Sequence, residues 1–263
     1  DIAPRIVKNV ESLENGKSIF EKMYDELVKL IKESNNIVFF GGAGVSTESH
    51  IPDFRSEDGL YKAKTKYGYS PETLISHSFF QRHTDKFYEY YKENLIYLDA
   101  KPNDAHYALA KLEEMGKLKA VVTQNIDNLH QMAGSKTVYE LHGSVFRNYC
   151  TKCHKFYDVN EIMAMDGVPY CECGGVIKPD VVLYEEPLDD EVWQKAFKAV
   201  READMLIVGG TSLVVYPAAG LVDIYKGDKL VLINKSHTSY DHLAKIAIND
   251  SIGKVLKSVV EQL

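Results

Sequence analysis

Ile37-Val38-Phe39-Phe40-Gly41-Gly42-Ala43-Gly44 is the stretch that decides the fold. A short apolar run enters a turn of small residues, as when a buried strand feeds a helix and leaves bare backbone N–H groups free to approach a phosphate. Upstream, Phe20, Met23, Tyr24, Leu27, Leu30 and Ile31 recur at three-to-four spacing, which predicts an amphipathic helix over 18–34. Comparable apolar runs stand at 120–123, 205–210 and 230–234, each after a helical stretch, at 104–115, 190–201 and 216–226. Strand and helix alternate, so the expected class is α/β with a doubly wound parallel sheet. Residues 56–80 mix charge, glycine and aromatics without firm periodicity and read as a mobile stretch or part of a small second domain.

A second feature interrupts this pattern. Cys150-Thr151-Lys152-Cys153 is followed, after seventeen residues, by Cys171-Glu172-Cys173, and these are all the cysteines of the chain. Two close pairs followed by Gly174-Gly175 fit a tetrahedral four-thiolate zinc site, although the second pair is the tighter C-x-C. Two disulfides or four buried thiols are the plain alternatives. Four thiolates would leave zinc no open position, so such a metal is structural, in an insertion spanning about 144–180.

The 263 residues suffice for one large domain with a small insertion, and the chain has 45% hydrophobic and 26% charged residues. No apolar run approaches the roughly 18 residues that span a bilayer. The start, Asp1 to Asn9, lacks the apolar centre of a secretory signal, and zinc-bound thiolates suit a reducing compartment, so a cytoplasmic location is expected. A net charge of −7 argues against broad nucleic-acid binding.

The Gly-rich turn alone is weak evidence for a cofactor. Thr47 replaces the third glycine of the dinucleotide fingerprint, and no acidic residue ends a strand about twenty residues on, which disfavours a conventional dehydrogenase. Three further motifs follow: Ile51-Pro52-Asp53-Phe54-Arg55, Thr123-Gln124-Asn125-Ile126-Asp127, and Leu141-His142-Gly143 just before the first cysteine. Singly, they read equally as a surface ion pair, turn formers and a structural histidine. In this order, with the Gly-Ala-Gly turn and the paired cysteines, they resemble the sirtuin family of NAD-dependent protein deacylases from about Phe20 to the end.

The resemblance implies a Rossmann-like domain for NAD, a smaller module with structural Zn2+, and acyl-lysine protein or peptide substrates bound between them. It divides the chain into 1–43 (start of the Rossmann-like domain), 44–80 (cofactor loop and part of the small domain), 81–143 (Rossmann-like domain continued), 144–180 (zinc module) and 181–263 (completion). The implied reaction moves the acyl group from lysine to ADP-ribose and releases nicotinamide; protein ADP-ribosylation is the alternative. His142 matches the general base, with Asn125 and Asp127 as its catalytic companions at the ribose and nicotinamide amide. Ala43, Gly44, Thr47, Phe54, Arg55, Gln124 and Ile126 map onto cofactor contacts, with Ser46 a weaker candidate. Thr211 and Ser212 map onto the diphosphate, and Asn234 and Ile252 onto adenosine. Val182 and Tyr184 line the acyl-lysine tunnel in a segment that pairs with substrate backbone. Cys150, Cys153, Cys171 and Cys173 hold the metal.

Two positions depart from the family pattern: His50 and Glu185 stand where glycine is usual, which matters if either backbone needs positive φ. Glu185 beside Glu186 could instead favour a basic peptide flank. Phe87-Tyr88-Glu89-Tyr90-Tyr91 offers Tyr91 where succinyl-preferring members carry arginine, so neutral acyl groups are expected to be preferred.

Overall fold

The computed structural model describes residues 12–13 and 17–263; the opening segment, read above for a secretory signal, lies outside them. The strands, in chain order, are β1 (Ser12–Leu13), β2 (Lys17–Ser18), β3 (Ile37–Gly41), β4 (Leu118–Thr123), β5 (Val138–Glu140), β6 (Gly143–Cys150), β7 (Phe156–Tyr157), β8 (Ile177–Val181), β9 (Met205–Gly209), β10 (Leu230–Ile233) and β11 (Ile246–Ile248). Six of them form a sheet in the order β11-β10-β9-β3-β4-β5, and every pairing in it is parallel. The chain winds outward from β3 to β5, then crosses back to β9 and winds the other way. This is the doubly wound topology, with its switch point between β3 and β9.

Both faces of the sheet are covered, which is why β3 and β9 are apolar at successive positions. On one face the helices Ile19–Glu33, Asp104–Glu114 and Ile252–Val260 pack Leu27, Leu109 and Val255 against Phe39, Val121 and Ile207. The first of them opens with a capping box from Ser18 and Glu21. On the other face Asp190–Glu202 and a short helix cover Val38, Phe40 and Val208. That short helix is only Leu221–Ile224, entered by a 3₁₀ turn at Ala218–Gly220. The helix expected over 216–226 is thus cut back to its middle.

The remaining residues build a smaller module. Antiparallel β7-β6-β8 carries the cysteines, and Val145, Ile177 and Val181 pack with Leu74, Phe80, Phe87, Tyr88 and Tyr91. Residues 56–80, unreadable by periodicity, form the helices Glu57–Tyr67 and Pro71–Leu74 and begin His77–Arg82. Glu57–Tyr67 buries only Ala63, so it has no apolar stripe to detect. The same hydrophobic cluster runs on past residue 80 into the helix Thr84–Asn94.

Under the sheet edge, His106 and His130 pack ring to ring at 4.8 Å. His106 Nδ1 accepts the Asn103 N–H at 3.0 Å, which requires the neutral ring. Burial pushes the pKa of His106 down to about 4, and burial together with His106 pushes His130 to about 3. In the unfolded chain both titrate near the ordinary value of about 6.5. Stability from the pair is therefore complete above that pH and falls as acid protonates the unfolded state first, by about 2 kcal/mol per histidine between about pH 7 and 5. Urea unfolding at the two pH values should show this loss, and roughly half of it should vanish in His130→Gln; an unchanged slope in that variant would assign the acid sensitivity elsewhere.

Candidate active site

The register of the parallel sheet brings the motifs together. Gly41 lies opposite both Thr123 and Gly209, and Gly209 opposite Ile233, so four strands end level with one another. The residues that follow them, Gly42–Gly44, Gln124–Asp127, Gly210–Thr211 and Asn234, all emerge on one carboxyl edge, where doubly wound sheets place their ligands. At the switch point two of these loops touch through backbone alone. Gly44 N–H donates to the Gly210 carbonyl at 2.8 Å. A Cβ on Gly44 would fall 2.6 Å from Gly210 Cα, and one on Gly210, whose φ is 62°, would fall 2.5 Å from Val45 N.

Side chains tighten the arrangement. Asn125 Nδ2 donates to the Gly42 carbonyl at 2.9 Å and to Ser46 Oγ at 3.2 Å. Ser46 Oγ donates to Asp127 Oδ2 at 2.6 Å, and Asp127 Oδ1 accepts the Leu129 N–H at 3.1 Å. Burial pushes the Asp127 pKa up, and these two hydrogen bonds oppose it. Gln124 Nε2 donates to Thr211 Oγ1 at 3.1 Å, Thr211 N–H donates to Asn234 Oδ1 at 2.9 Å, and Thr47 Oγ1 donates to the Gly44 carbonyl. His142 Nδ1 lies 3.0 Å from the Gln124 carbonyl, which can only accept, so the proton is on Nδ1 and Nε2 is left as a base. Burial, with the nearby Arg55 charge, lowers the His142 pKa against the opposing Gln124 hydrogen bond. The ring is therefore neutral at pH 7.

Two adjoining cavities open on this edge, of about 230 and 370 Å³. Asn125, Ile126, Asp127 and His142 line the first, with Phe54 on one side and Val182 and Tyr184 on another. Gly44, Thr47, Thr211, Ser212, Asn234 and Ile252 line the second. Ala43, Arg55 and Gln124 face both. Ile252 is also a core residue, 4% exposed. The second cavity fits an extended polar ligand such as a dinucleotide: its glycines let backbone approach closely, and buried Asn234 Nδ2 has no partner among the described residues.

The segment that carries Val182 and Tyr184 is held from behind. Tyr184 N–H donates to the Ile75 carbonyl and His77 N–H to the Tyr184 carbonyl, at 3.1 and 2.9 Å, while Val182 N–H donates to the His142 carbonyl. His50 and Glu185 both have positive φ, 65° and 77°, so each side chain occupies a backbone that costs roughly 1–2 kcal/mol. At Glu185 the side chain gives something back: its carboxylate accepts Ser78 N–H and Oγ–H at 3.0 and 2.7 Å, which holds its pKa down. Glu186 accepts the Leu183 N–H and pairs with Lys178 and His77. Both carboxylates are thus engaged by neighbouring groups, while Glu185 itself stays exposed at the cavity.

Tyr91, which stands where succinyl-preferring members carry arginine, is fully buried behind the wall together with Tyr88, whose hydroxyl lies on the Ile177 carbonyl. The cavity is reached only at the end of their helix, by Asn94, and by Leu95 and Tyr97 just beyond it. Those three and Phe146 carry no motif that sequence reading could have found. Ser46 was legible only as a hydroxyl in the Gly-rich turn, yet it joins Asn125 to Asp127.

The cysteines meet elsewhere in the small module. All four Sγ atoms lie within 4.8 Å of one another, a donor set suited to one tetrahedral ion. Gly175 packs beneath them, where a Cβ would stand 2.5 Å from Cys150 Sγ. Because the sulfurs sit at the end of β6 and β8, metal loss should loosen the shared aromatic cluster. We expect a strong chelator to remove one zinc per chain and lower the melting temperature by on the order of 10 °C. Metal analysis with calorimetry checks this, and full stability without metal would refute it.

Residues 42–217 match the model of the Sir2 family. A Clostridium perfringens protein named NAD-dependent protein deacetylase is 65% identical over 239 residues, 90% of this chain and 98% of its own. One of the same name from Clostridium tetani is 64% identical over 239 residues, 90% and 97% of the two chains. A solved Sir2 structure with deacetylated p53 peptide and 3′-O-acetyl-ADP-ribose has a TM-score of 0.82 at 42% identity, covering 90% of this chain and 97% of that one. With relatives this similar along nearly its whole described length, the chain belongs to the Sir2 family.

Proposed function

We propose that this protein is an NAD-dependent protein lysine deacetylase, with the large sheet domain holding NAD and the acyl-lysine entering between it and the zinc module. The observation that carries the reading is the convergence of Asn125, Asp127 and neutral His142 on a cavity that shares Ala43, Arg55 and Gln124 with its dinucleotide-shaped neighbour. Bound NAD supplies an activated ribose carbon from which nicotinamide departs as the acyl oxygen attacks. Arg55, Thr211 and Ser212 bind the phosphates, Asn234 and Ile252 the adenosine, and Gly44 and Thr47 the turn between them. Asn125, with the Ser46–Asp127 pair, orients the ribose and the nicotinamide amide. Phe54 and Ile126 exclude water. His142 Nε2 takes a proton from a ribose hydroxyl, a role for which its lowered pKa suits it at neutral pH. Val182 and Tyr184 flank the lysine, in the segment expected to pair with its backbone.

The zinc, bound by Cys150, Cys153, Cys171 and Cys173, has no open position and supports the wall rather than the chemistry. The fold divides between the large sheet domain and this module. No described helix is long and apolar enough to cross a membrane, and we place the protein in the cytoplasm, where thiolates stay reduced.

Among the described residues Arg55 is the one Lys or Arg facing the first cavity, against Asp53, Asp127, Glu185 and Glu186. An anionic acyl group would meet four carboxylates and a cation committed to phosphate. Incubation with acetyl-lysine peptide should therefore give NAD-dependent loss of acetyl with equal nicotinamide release, slowed about 10²–10⁴-fold in His142→Ala. Succinyl-lysine peptide should be turned over at least about tenfold less efficiently. Nicotinamide release with ADP-ribose attached to protein, and no deacetylation, would favour ADP-ribosylation and overturn the reading; faster desuccinylation would overturn the acyl preference.

A further inference from the structure

One side-chain contact joins the peptide side of the cleft to the cofactor side. Arg55 Nε donates to Tyr184 Oη at 3.0 Å. The same guanidinium stands over the Phe54 ring, its carbon 4.9 Å from the centroid. A guanidinium held by Nε and by one face has its plane fixed. Its two Nη groups have no hydrogen-bond partner among the described residues, and Arg55 faces both cavities. They are therefore donors waiting for an acceptor.

Tyr184 can hold Arg55 only if it is itself immobile. Its backbone is bonded on both sides to Ile75 and His77. The next residue, Glu185, turns the chain through left-handed backbone and is fastened to Ser78 by two hydrogen bonds. The anchor continues into the aromatic cluster, where Phe79 and Phe80 follow Ser78 in the same helix and are buried. Arg55 lies in a turn whose local hydrogen bonds, its own N–H on Asp53 Oδ1 at 2.9 Å and the Ser56 N–H on the Asp53 carbonyl at 3.1 Å, hold backbone and leave the guanidinium to other partners. The guanidinium is thus held from two sides, by the Phe54 ring of its own loop and by the Tyr184 hydroxyl across the cleft, and the hydrogen bond comes from Tyr184 alone.

We propose that Tyr184 is a positioning residue for the dinucleotide: braced by Glu185, its hydroxyl fixes the Arg55 guanidinium so that both Nη groups meet the diphosphate without reorganisation. The inference rests on the deacetylase reading. Its physical content is preorganisation, since a side chain already ordered loses less freedom when the anion arrives. Bidentate recognition of phosphate depends on the orientation of the guanidinium plane as well as on its charge.

Tyr184→Phe removes the hydroxyl and keeps the ring against the acyl-lysine. We expect KM for NAD and the calorimetric Kd for ADP-ribose each to rise about fivefold, the scale of one lost hydrogen bond, while KM for acetyl-lysine peptide moves less than about twofold. In an Arg55→Lys background, where no Nε or planar fork exists, the same change should add nothing to the ADP-ribose Kd. Melting curves of each variant show that the fold persists. Unchanged NAD and ADP-ribose affinity in Tyr184→Phe, or an equal rise in the KM of peptide and NAD, would overturn the proposal while wild-type deacetylation stood. A wild-type protein that neither binds ADP-ribose nor consumes NAD would overturn the deacetylase reading and the proposal together.

Discussion

The hydrogen bond from Gly44 N–H to the Gly210 carbonyl is the contact on which the rest of the site depends. It joins the loops leaving β3 and β9, neighbouring strands whose connections run in opposite directions. Parallel strands ending level create the crevice, but only two residues without side chains let its walls touch through backbone. With the loops at that distance, Asn125 reaches Gly42, Ser46 reaches Asp127, and Gln124 reaches Thr211. A methyl group on either glycine would collide with the facing backbone and push these two loops apart. The site is therefore a property of the sheet's register, expressed through two glycines.

The smaller module solves a different problem. A cleft needs a second wall, and the antiparallel sheet β7-β6-β8 is too small to bury a core of its own. It borrows Phe80, Phe87, Tyr88 and Tyr91 from two helices and uses four thiolates at its far end. Tyr88 and Tyr91 are structural for this reason. Their rings fill the space behind the wall, and the helix shows the cavity only its last turn.

How far the sequence can be read follows from how each element is stabilised. The helices Ile19–Glu33 and Asp190–Glu202 and the central strands bury one stripe or both faces, so their hydrophobic pattern carries their identity. The edge strands β5 and β11 are three residues each, too short for any period. Glu57–Tyr67 is held by its ends and by the neighbouring helix: Ser56 caps it, and Lys66 and Tyr67 both bond Glu93. The order of motifs marked the site residues, because chemistry constrains residue type at each of them. Their partners Asn94, Leu95, Tyr97 and Phe146 are constrained only by shape. The left-handed conformations at His50 and Glu185 could be posed as a question from the sequence, and only the dihedral angles answer it.

The brevity of β5 and β11 has another consequence. A six-stranded sheet with an apolar centre offers two open margins on which a further chain could pair, and long exposed margins are where sheet proteins aggregate. Here each margin presents three residues, and β5 ends in Glu140, paired with Arg147. Neither margin can template an extended intermolecular ladder. The sheet that carries the active edge can thus stay apolar through its middle without offering a long open margin to another chain.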